Sequence, residues 1–178
     1  MVKVGVLALQ GDVREHIQAL RRAGATAVEV RHPHELADVD GLILPGGEST
    51  TIGRLLDRFG LLGPLQDRAR DGLALYGTCA GMILMAKEIS GDQDAPHRLS
   101  VLDISVRRNG YGRQVDSFES AVKVKGWDVP LEAVFIRAPI IRRVGRNAKV
   151  LAWYEGDPVL VEEGRHVVAT FHPELSNE

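Results

Sequence analysis

A single cysteine, Cys79, lies in a sequence pattern that favours nucleophilic chemistry. It is the centre of a Gly77-x-Cys79-x-Gly81 motif that follows an apolar run at 73–76 and precedes a helical pattern. A nucleophile on a sharp strand-to-helix turn requires small residues two positions before and after it, because larger side chains would clash. The helix N-terminus would favour the thiolate, and the Ala80 N–H would help to stabilise an oxyanion. The alternative is an inert, buried cysteine, but the strand–turn–helix context favours the nucleophile.

A histidine and a glutamate near the end of the sequence could support this cysteine. The segment His172-Pro173-Glu174 follows a predicted strand at 167–171. Two residues spaced by one can point to the same side of an extended segment, so the carboxylate could fix the tautomer of an imidazole that acts as the base. Taken alone, the motif is better explained as an ordinary turn after a strand. Its interest depends on Cys79.

A glycine-rich loop, Pro45-Gly46-Gly47-Glu48-Ser49-Thr50, also follows a strand and opens a helix. Free N–H groups at such a place bind anions. The Walker pattern with its lysine is absent. Two interpretations are balanced: an oxyanion loop, whose Gly47 N–H pairs with that of Ala80, and a plain turn with Ser49 or Thr50 as the N-cap.

The composition indicates one compact domain over residues 1–178. Hydrophobic residues make up 44% and charged residues 26% of the sequence, an ordinary balance for a soluble protein. A net charge of −2 and an aromatic content of 5% argue against nucleic acid as a partner. No apolar run could cross a bilayer, and the N-terminus lacks the features of a signal peptide. One cysteine excludes an internal disulfide and a Cys-rich metal site, and favours a reducing cytoplasm.

The elements that must position these motifs alternate between strand and helix in the first half. Asp12, three residues before Glu15, predicts an N-cap with a capping box for the first helix. The apolar residues of this helix, Val13, Ile17 and Leu20, share one face, and His16 is predicted to lie away from that face. Strands are predicted over 2–9, 26–31, 41–44 and 73–76, and helices from Asp12 to Gly24, over 50–59 and 64–71, and from Cys79 to about 88. Short strands follow over 101–107, 118–124, 133–136, 150–154, 159–161 and 166–171. This order predicts a three-layer, wound α/β fold with a β-rich second half.

Taken together, the motifs resemble the triad-type (class I) glutamine amidotransferases, and among them the glutaminase subunits of pyridoxal 5′-phosphate synthase. The stretches that carry the resemblance run from the first strand to the last residues: 7–11, 14–16, 45–53, 77–81, 108–114 with 117–119, 135–139 and 171–175. The resemblance implies a flavodoxin-like mixed sheet.

The resemblance also implies an activity. Such subunits hydrolyse L-glutamine to L-glutamate and ammonia through a cysteinyl thioester, with no metal or organic cofactor. The ammonia passes to a synthase subunit in a hetero-oligomer, where pyridoxal 5′-phosphate (vitamin B6) is built, and docking activates the glutaminase. The alternative within the family is a subunit of a histidine, tryptophan or nucleotide pathway. Rivals outside it are a non-catalytic binding protein on the same scaffold and another cysteine hydrolase or redox-sensing thiol protein.

The resemblance assigns roles residue by residue. Cys79 matches the nucleophile, His172 the base and Glu174 the residue that orients it. The other positions are the oxyanion donors Gly47 and Ala80, the substrate-binding residues Gly47, Glu48, Ser49, Arg108, Ile136 and Arg137, and the synthase-facing residues Gln10, Arg14, Glu15 and His16. Family members usually continue past His-Pro-Glu into a terminal helix, whereas this sequence ends at Glu178.

Overall fold

A computed structural model of the protein describes residues 1–91, 97–108 and 117–176. Within these ranges the strands are β1 Lys3–Leu7, β2 Thr26–Val30, β3 Gly41–Leu44, β4 Ala74–Thr78, β5 Ala86–Ile89, β6 Leu102–Arg107, β7 Ser117–Val122, β8 Leu131–Ile136, β9 Ile140–Val144, β10 Lys149–Tyr154, β11 Asp157–Glu163 and β12 His166–Ala169. The α-helices are α1 Val13–Arg22, α2 Ser49–Arg58, α3 Leu62–Arg70 and α4 Ala80–Met85, and short 3-10 helices cover Pro33–Asp38 and Pro173–Leu175.

A seven-stranded mixed sheet forms the centre of the fold, in the order β10-β11-β12-β4-β3-β1-β2. The five strands from β12 to β2 are parallel, whereas β11 and β10 extend the sheet in antiparallel pairing. The carboxyl ends of parallel strands meet at one edge of a sheet, which is where α/β proteins place their sites. Strands β1, β3, β4 and β12 therefore bring Gln10, the loop at 45–50, Cys79 and His172 to a common edge.

Helices cover both faces of the parallel strands. Side chains alternate along β1, so that Val6 packs with Ile17 of α1 whereas Leu7 lies in the main core with Ile52 and Leu56 of α2. A separate apolar cluster that includes Phe135 lies beneath the antiparallel half. The predicted three-layer α/β fold with a β-rich second half is confirmed.

Some predicted elements differ in the structure. Helix α4 ends at Met85 rather than near 88, and the chain continues as β5, which pairs with β6 in a small sheet completed by β9. All six residues of α4 are buried, so its sequence carries no amphipathic period that would mark the end of the helix. Strand β9 was not predicted. Most of the 108–114 motif lies outside the described residues. None of the described helices combines the length and apolarity needed to cross a membrane.

Candidate active site

Cys79 occupies a strained turn between β4 and α4. Its φ of 50° and ψ of −105° lie outside the regions that non-glycine residues normally adopt. The turn requires the flanking glycines, as predicted: a Cβ on Gly77 would lie 2.6 Å from the Met85 sulfur, and one on Gly81 would overlap the Leu44 carbonyl. The Cys79 N–H donates to the Ala169 carbonyl of β12 at 2.9 Å, which holds the turn against the neighbouring strand.

The geometry around Cys79 presents its thiol and the first turn of α4 to one cavity. The sulfur lies 3.9 Å from the Ile136 carbonyl oxygen. Ala80 is the first residue of α4, so its N–H has no carbonyl partner within the helix and is available to an oxyanion. The sequence prediction of a nucleophile followed by an N–H donor is consistent with this placement.

His172 and Glu174 form a buried hydrogen-bonded pair at the end of β12. His172 Nδ1 lies 2.7 Å from Glu174 Oε1, and both residues are at most 5% exposed. An ionised carboxylate only accepts hydrogen bonds, so Nδ1 carries the proton and Nε2 remains to take a proton from the thiol. The 3-10 helix Pro173–Leu175 lets the glutamate return to the ring two residues before it.

Asp12 is a second carboxylate on the same imidazole nitrogen. Its Oδ2 lies 3.2 Å from His172 Nδ1, and the hydrogen bond to His172 lowers the pKa of Asp12. The predicted capping box is absent, because the Asp12 side chain makes no cap bond to α1. Asp12 was not predicted as a site residue, because Asp-x-x-Glu before a helix ordinarily indicates a helix cap.

The charges around His172 favour its protonated form. Burial lowers the pKa of His172, but hydrogen bonds to Asp12, Cys79 and Glu174 outweigh burial, so that the pKa is raised above its usual value. Burial and the charge of Glu174 also raise the pKa of Tyr76, which keeps that phenol neutral. The site therefore stabilises an imidazolium, the form that the base takes once it has accepted the thiol proton.

His16 belongs to this network and not to the outer surface of α1. It is 2% exposed, and its Nε2 lies 3.3 Å from Thr78 Oγ1 and 3.5 Å from Glu174 Oε1. Burial lowers the pKa of His16, so the ring is neutral near pH 7. The prediction that His16 lies away from the buried face of α1 is wrong, because the 3-10 helix at 173–175 packs against α1 beside the sheet.

The loop after β3 is fixed by side chains from two directions. Gln10 Oε1 accepts from the Glu48 N–H at 2.9 Å. The Glu48 carboxylate accepts from the backbone N–H groups of Thr50 and Thr51, which makes Glu48 the N-cap of α2 in place of the predicted Ser49 or Thr50. Those hydrogen bonds hold the Glu48 carboxylate at the start of α2.

A cavity of about 490 Å³ joins these groups, a size suited to a small molecule. Asp12 lines this cavity. So do all of the predicted catalytic, oxyanion and substrate-binding residues except Glu174, namely Gly47, Glu48, Ser49, Cys79, Ala80, Arg108, Ile136, Arg137 and His172. Arg108 donates to Thr50 Oγ1 at 3.2 Å, and Arg137 is exposed in a left-handed backbone conformation with a φ of 44°.

Asp12, His172 and Glu174 also form the one cluster among the described residues whose geometry could hold a metal ion, with ligand atoms within 4.8 Å of one another. Both carboxylates approach the same imidazole nitrogen, at 2.7 and 3.2 Å, which are hydrogen-bond distances. The arrangement fits a shared N–H better than three separate ligands.

The other residues predicted to face the synthase subunit lie just before α1 or on it. Arg14 is exposed, and Gln10 and Glu15 are half-buried.

Comparisons with known proteins agree with this geometry. The sequence profile of the SNO glutamine amidotransferase family matches residues 6–178. The chain is 54% identical over 175 residues to "Pyridoxal 5′-phosphate synthase subunit PdxT" of Mycobacteroides abscessus, covering 98% of this chain and 91% of that protein. It is 56% identical over 179 residues to the protein of the same name from Dehalococcoides mccartyi, with the same coverage.

Solved structures show the same fold. A crystal structure of a glutamine amidotransferase superposes with a TM-score of 0.94 at 50% identity, covering 98% of this chain and 92% of the other. The structure of PurLQS from Thermotoga maritima superposes with a TM-score of 0.68 at 15% identity, covering 99% of this chain and 90% of the other. The second likeness concerns the fold alone.

Proposed function

The chain belongs to the SNO glutamine amidotransferase family, and from this we propose that it is the glutaminase subunit of a pyridoxal 5′-phosphate synthase. It hydrolyses L-glutamine to L-glutamate and ammonia, and the ammonia is delivered to a synthase subunit. The observation that carries the proposal is the cavity in which a strained Cys79 meets His172, itself hydrogen-bonded to buried Glu174. The names of the relatives support the choice of pathway.

The first half of the reaction forms a thioester. His172 Nε2 takes the Cys79 proton, and the thiolate attacks the side-chain amide carbon of glutamine. Charge develops on the amide oxygen, which accepts hydrogen bonds from the N–H groups of Ala80 and Gly47. The imidazolium then donates its proton to the leaving nitrogen, and ammonia departs.

The second half releases glutamate. Neutral His172 accepts a proton from water, the resulting hydroxide attacks the thioester carbonyl, and the oxyanion donors stabilise the second tetrahedral intermediate. Collapse expels the Cys79 sulfur, which returns as the thiol or as the thiolate paired with the imidazolium. Glu174 keeps the ring in one tautomer through both halves.

Two arginines suit the α-carboxylate of glutamine. Arg108 and Arg137 line the same cavity as Cys79, and a guanidinium matches a carboxylate with two parallel hydrogen bonds. Arg108 already donates to Thr50 Oγ1, which fixes the direction of its side chain. We assign Arg108 as the principal carboxylate partner, with Arg137 and the backbone of Ile136 completing the pocket.

The synthase-facing surface is assigned to the start of α1. Arg14 is exposed there, and Gln10 and Glu15 are half-buried; His16 is left out of this assignment because it is buried. The chain acts as one glutaminase domain, which is supported by the family match over residues 6–178. A reducing compartment such as the cytoplasm suits a chain that depends on a free thiol.

Glutamate release from L-glutamine, measured with and without the pyridoxal 5′-phosphate synthase subunit, tests this proposal. We expect turnover that rises when the synthase subunit is added and that disappears in Cys79→Ala. Turnover of Cys79→Ala equal to that of the unaltered chain would refute the nucleophile. Stimulation by a different amidotransferase synthase, and not by this one, would refute the pathway.

A further inference from the structure

Asp12 makes a contact that its position in the sequence does not explain. It precedes α1, where an aspartate side chain usually accepts a hydrogen bond from the first turn of the helix. In the structure this bond is absent, and the carboxylate instead lies 3.2 Å from His172 Nδ1. The side chain is 33% exposed and lines the cavity that contains Cys79.

The backbone of Asp12 holds this side chain in place without help from a cap. The Asp12 N–H donates to the Gly46 carbonyl at 3.0 Å. Gly46 in turn lies against the imidazole of His172, because a Cβ at this glycine would overlap the ring. Asp12 is thus attached to the oxyanion loop through its main chain and to the base through its side chain, and replacing the side chain tests the second contact alone.

Several titratable groups face the His172 ring, and they come from different elements. Asp12 approaches ahead of α1, His16 from α1, Cys79 from the turn after β4, and Glu174 from the 3-10 helix that follows the histidine itself. His16 is neutral near pH 7, so the two carboxylates dominate the field at Nδ1. Glu174, at 2.7 Å, is the nearer acceptor, and Asp12 is the one in contact with the cavity.

We propose that Asp12 is a positioning residue of the glutaminase: it is a second acceptor for the Nδ1 proton and stabilises the ring while Nε2 carries the proton removed from the Cys79 thiol. In that step the S–H bond breaks, a new N–H bond forms at Nε2, and the electron pair stays on sulfur, so that one thiolate and one imidazolium result. The inference rests on the proposed glutaminase function. Asp12 acts through His172 and makes no contact with glutamine in this scheme, so its loss should lower kcat and leave KM nearly unchanged.

Two variants test the proposal. Asp12→Asn keeps the size and one acceptor oxygen but removes the charge, and Asp12→Ala removes both. With the synthase subunit present, we expect kcat to fall about tenfold in Asp12→Asn and further in Asp12→Ala, with KM within twofold of the unaltered chain. Asp71→Asn, which neutralises an exposed carboxylate after α3, is the matched control and should leave both constants unchanged.

A titration separates this role from a merely structural one. In a Cys79→Ala background the thiol no longer titrates together with the ring, and the imidazole nitrogens of His172 can be followed by NMR. Adding Asp12→Asn should lower the pKa of His172 by about one pH unit, the smaller end of the shift that a neighbouring charge produces. An unchanged pKa of His172, with kcat unchanged in both Asp12 variants, would overturn the inference. Turnover that survives in Cys79→Ala would instead overturn the proposed function, so the two failures are distinguishable.

Discussion

The Gly46→Ala substitution would test whether close packing against the oxyanion loop positions the catalytic base. Gly46 is buried beside the imidazole, and an added Cβ would overlap His172 Cε1 and lie 3.0 Å from both His172 Nδ1 and Asp12 Oδ2. Non-bonded carbon atoms pack at about 3.5–4.0 Å. Because the Gly46 main chain is fixed by the Asp12 N–H, relief requires the ring to move by roughly 1 Å.

The expected cost follows from that displacement. A misplacement of about 1 Å at a reacting group lowers the rate by about 10²-fold, or about 2.7 kcal/mol in the barrier. Overpacking a buried site also costs about 1–3 kcal/mol of stability, which for a chain of this size lowers Tm by on the order of 3–9 °C. The folded fraction at 25 °C would hardly change, so the loss of kcat should far exceed the loss of folded protein.

The assay is glutamate release at 25 °C with the synthase subunit in excess, paired with a thermal unfolding curve for each variant. Gly63→Ala is the matched control, because Gly63 is an exposed residue of α3 whose Cβ would have no heavy atom within 4 Å. We expect its kcat to be unchanged and its stability to change by at most about 1 kcal/mol, because alanine favours helix over glycine whereas a Cβ on the residue before Pro64 disfavours the helical backbone. A Gly46→Ala protein that keeps kcat within twofold of the unaltered chain would refute the argument that this packing positions His172.

Three further predictions follow from the structure, one on substrate binding and two on the pH dependence of stability. Arg108→Ala should raise the KM for glutamine by about 10–100-fold with a small change in kcat, because a hydrogen bond to a charged group contributes about 1.5–3 kcal/mol. Arg107→Ala, which removes the exposed neighbouring arginine, is the control. An equal rise in KM in both variants would indicate that Arg108 acts only as a general surface charge. The pKa of His172 is raised, so its contribution to the free energy of unfolding is fully present below about pH 6.5 and is lost as the pH rises through the raised value. Urea unfolding should therefore show that the loss of stability caused by His172→Asn becomes smaller above about pH 6.5. The pKa of His16 is lowered, so the unaltered chain should lose stability relative to His16→Gln as the pH falls below about 6.5, and a pH-independent difference would contradict the neutral, buried ring.

The turn around Cys79 could be predicted from the sequence because local sterics determine it. Gly81 allows the close approach of α4 to β3, and Gly77 allows that of β4 to Met85; a Cβ at either position would clash. The same reasoning explains why the order of the first strands and helices was predictable. Each of them is amphipathic or uniformly apolar over its own length, so the information lies within a short segment of sequence.

The surroundings of His172 could not be predicted because they depend on contacts between distant segments. Asp12 and Glu15 form a capping pattern with their own helix, and nothing nearby in the sequence indicates that a histidine from the last strand will compete for the Asp12 carboxylate. His16 was assigned to the solvent side of α1 for a related reason. A helical projection gives one buried face, whereas α1 is buried both by the sheet and by the 3-10 helix Pro173–Leu175.

The segment that connects β1 to α1 therefore belongs to the active site as much as the segment at 172–174 does. Gln10 holds the Glu48 N–H through its side chain, and Asp12 holds Gly46 through its main chain and His172 through its carboxylate. These three contacts connect one short stretch of chain to the oxyanion loop and to the base. A displacement at the start of α1 would move both groups together with respect to Cys79, which is fixed separately by its bond to Ala169 of β12. If the proposed synthase subunit docks at the start of α1, where Arg14 is exposed, we therefore expect docking to shift the oxyanion loop and the base together.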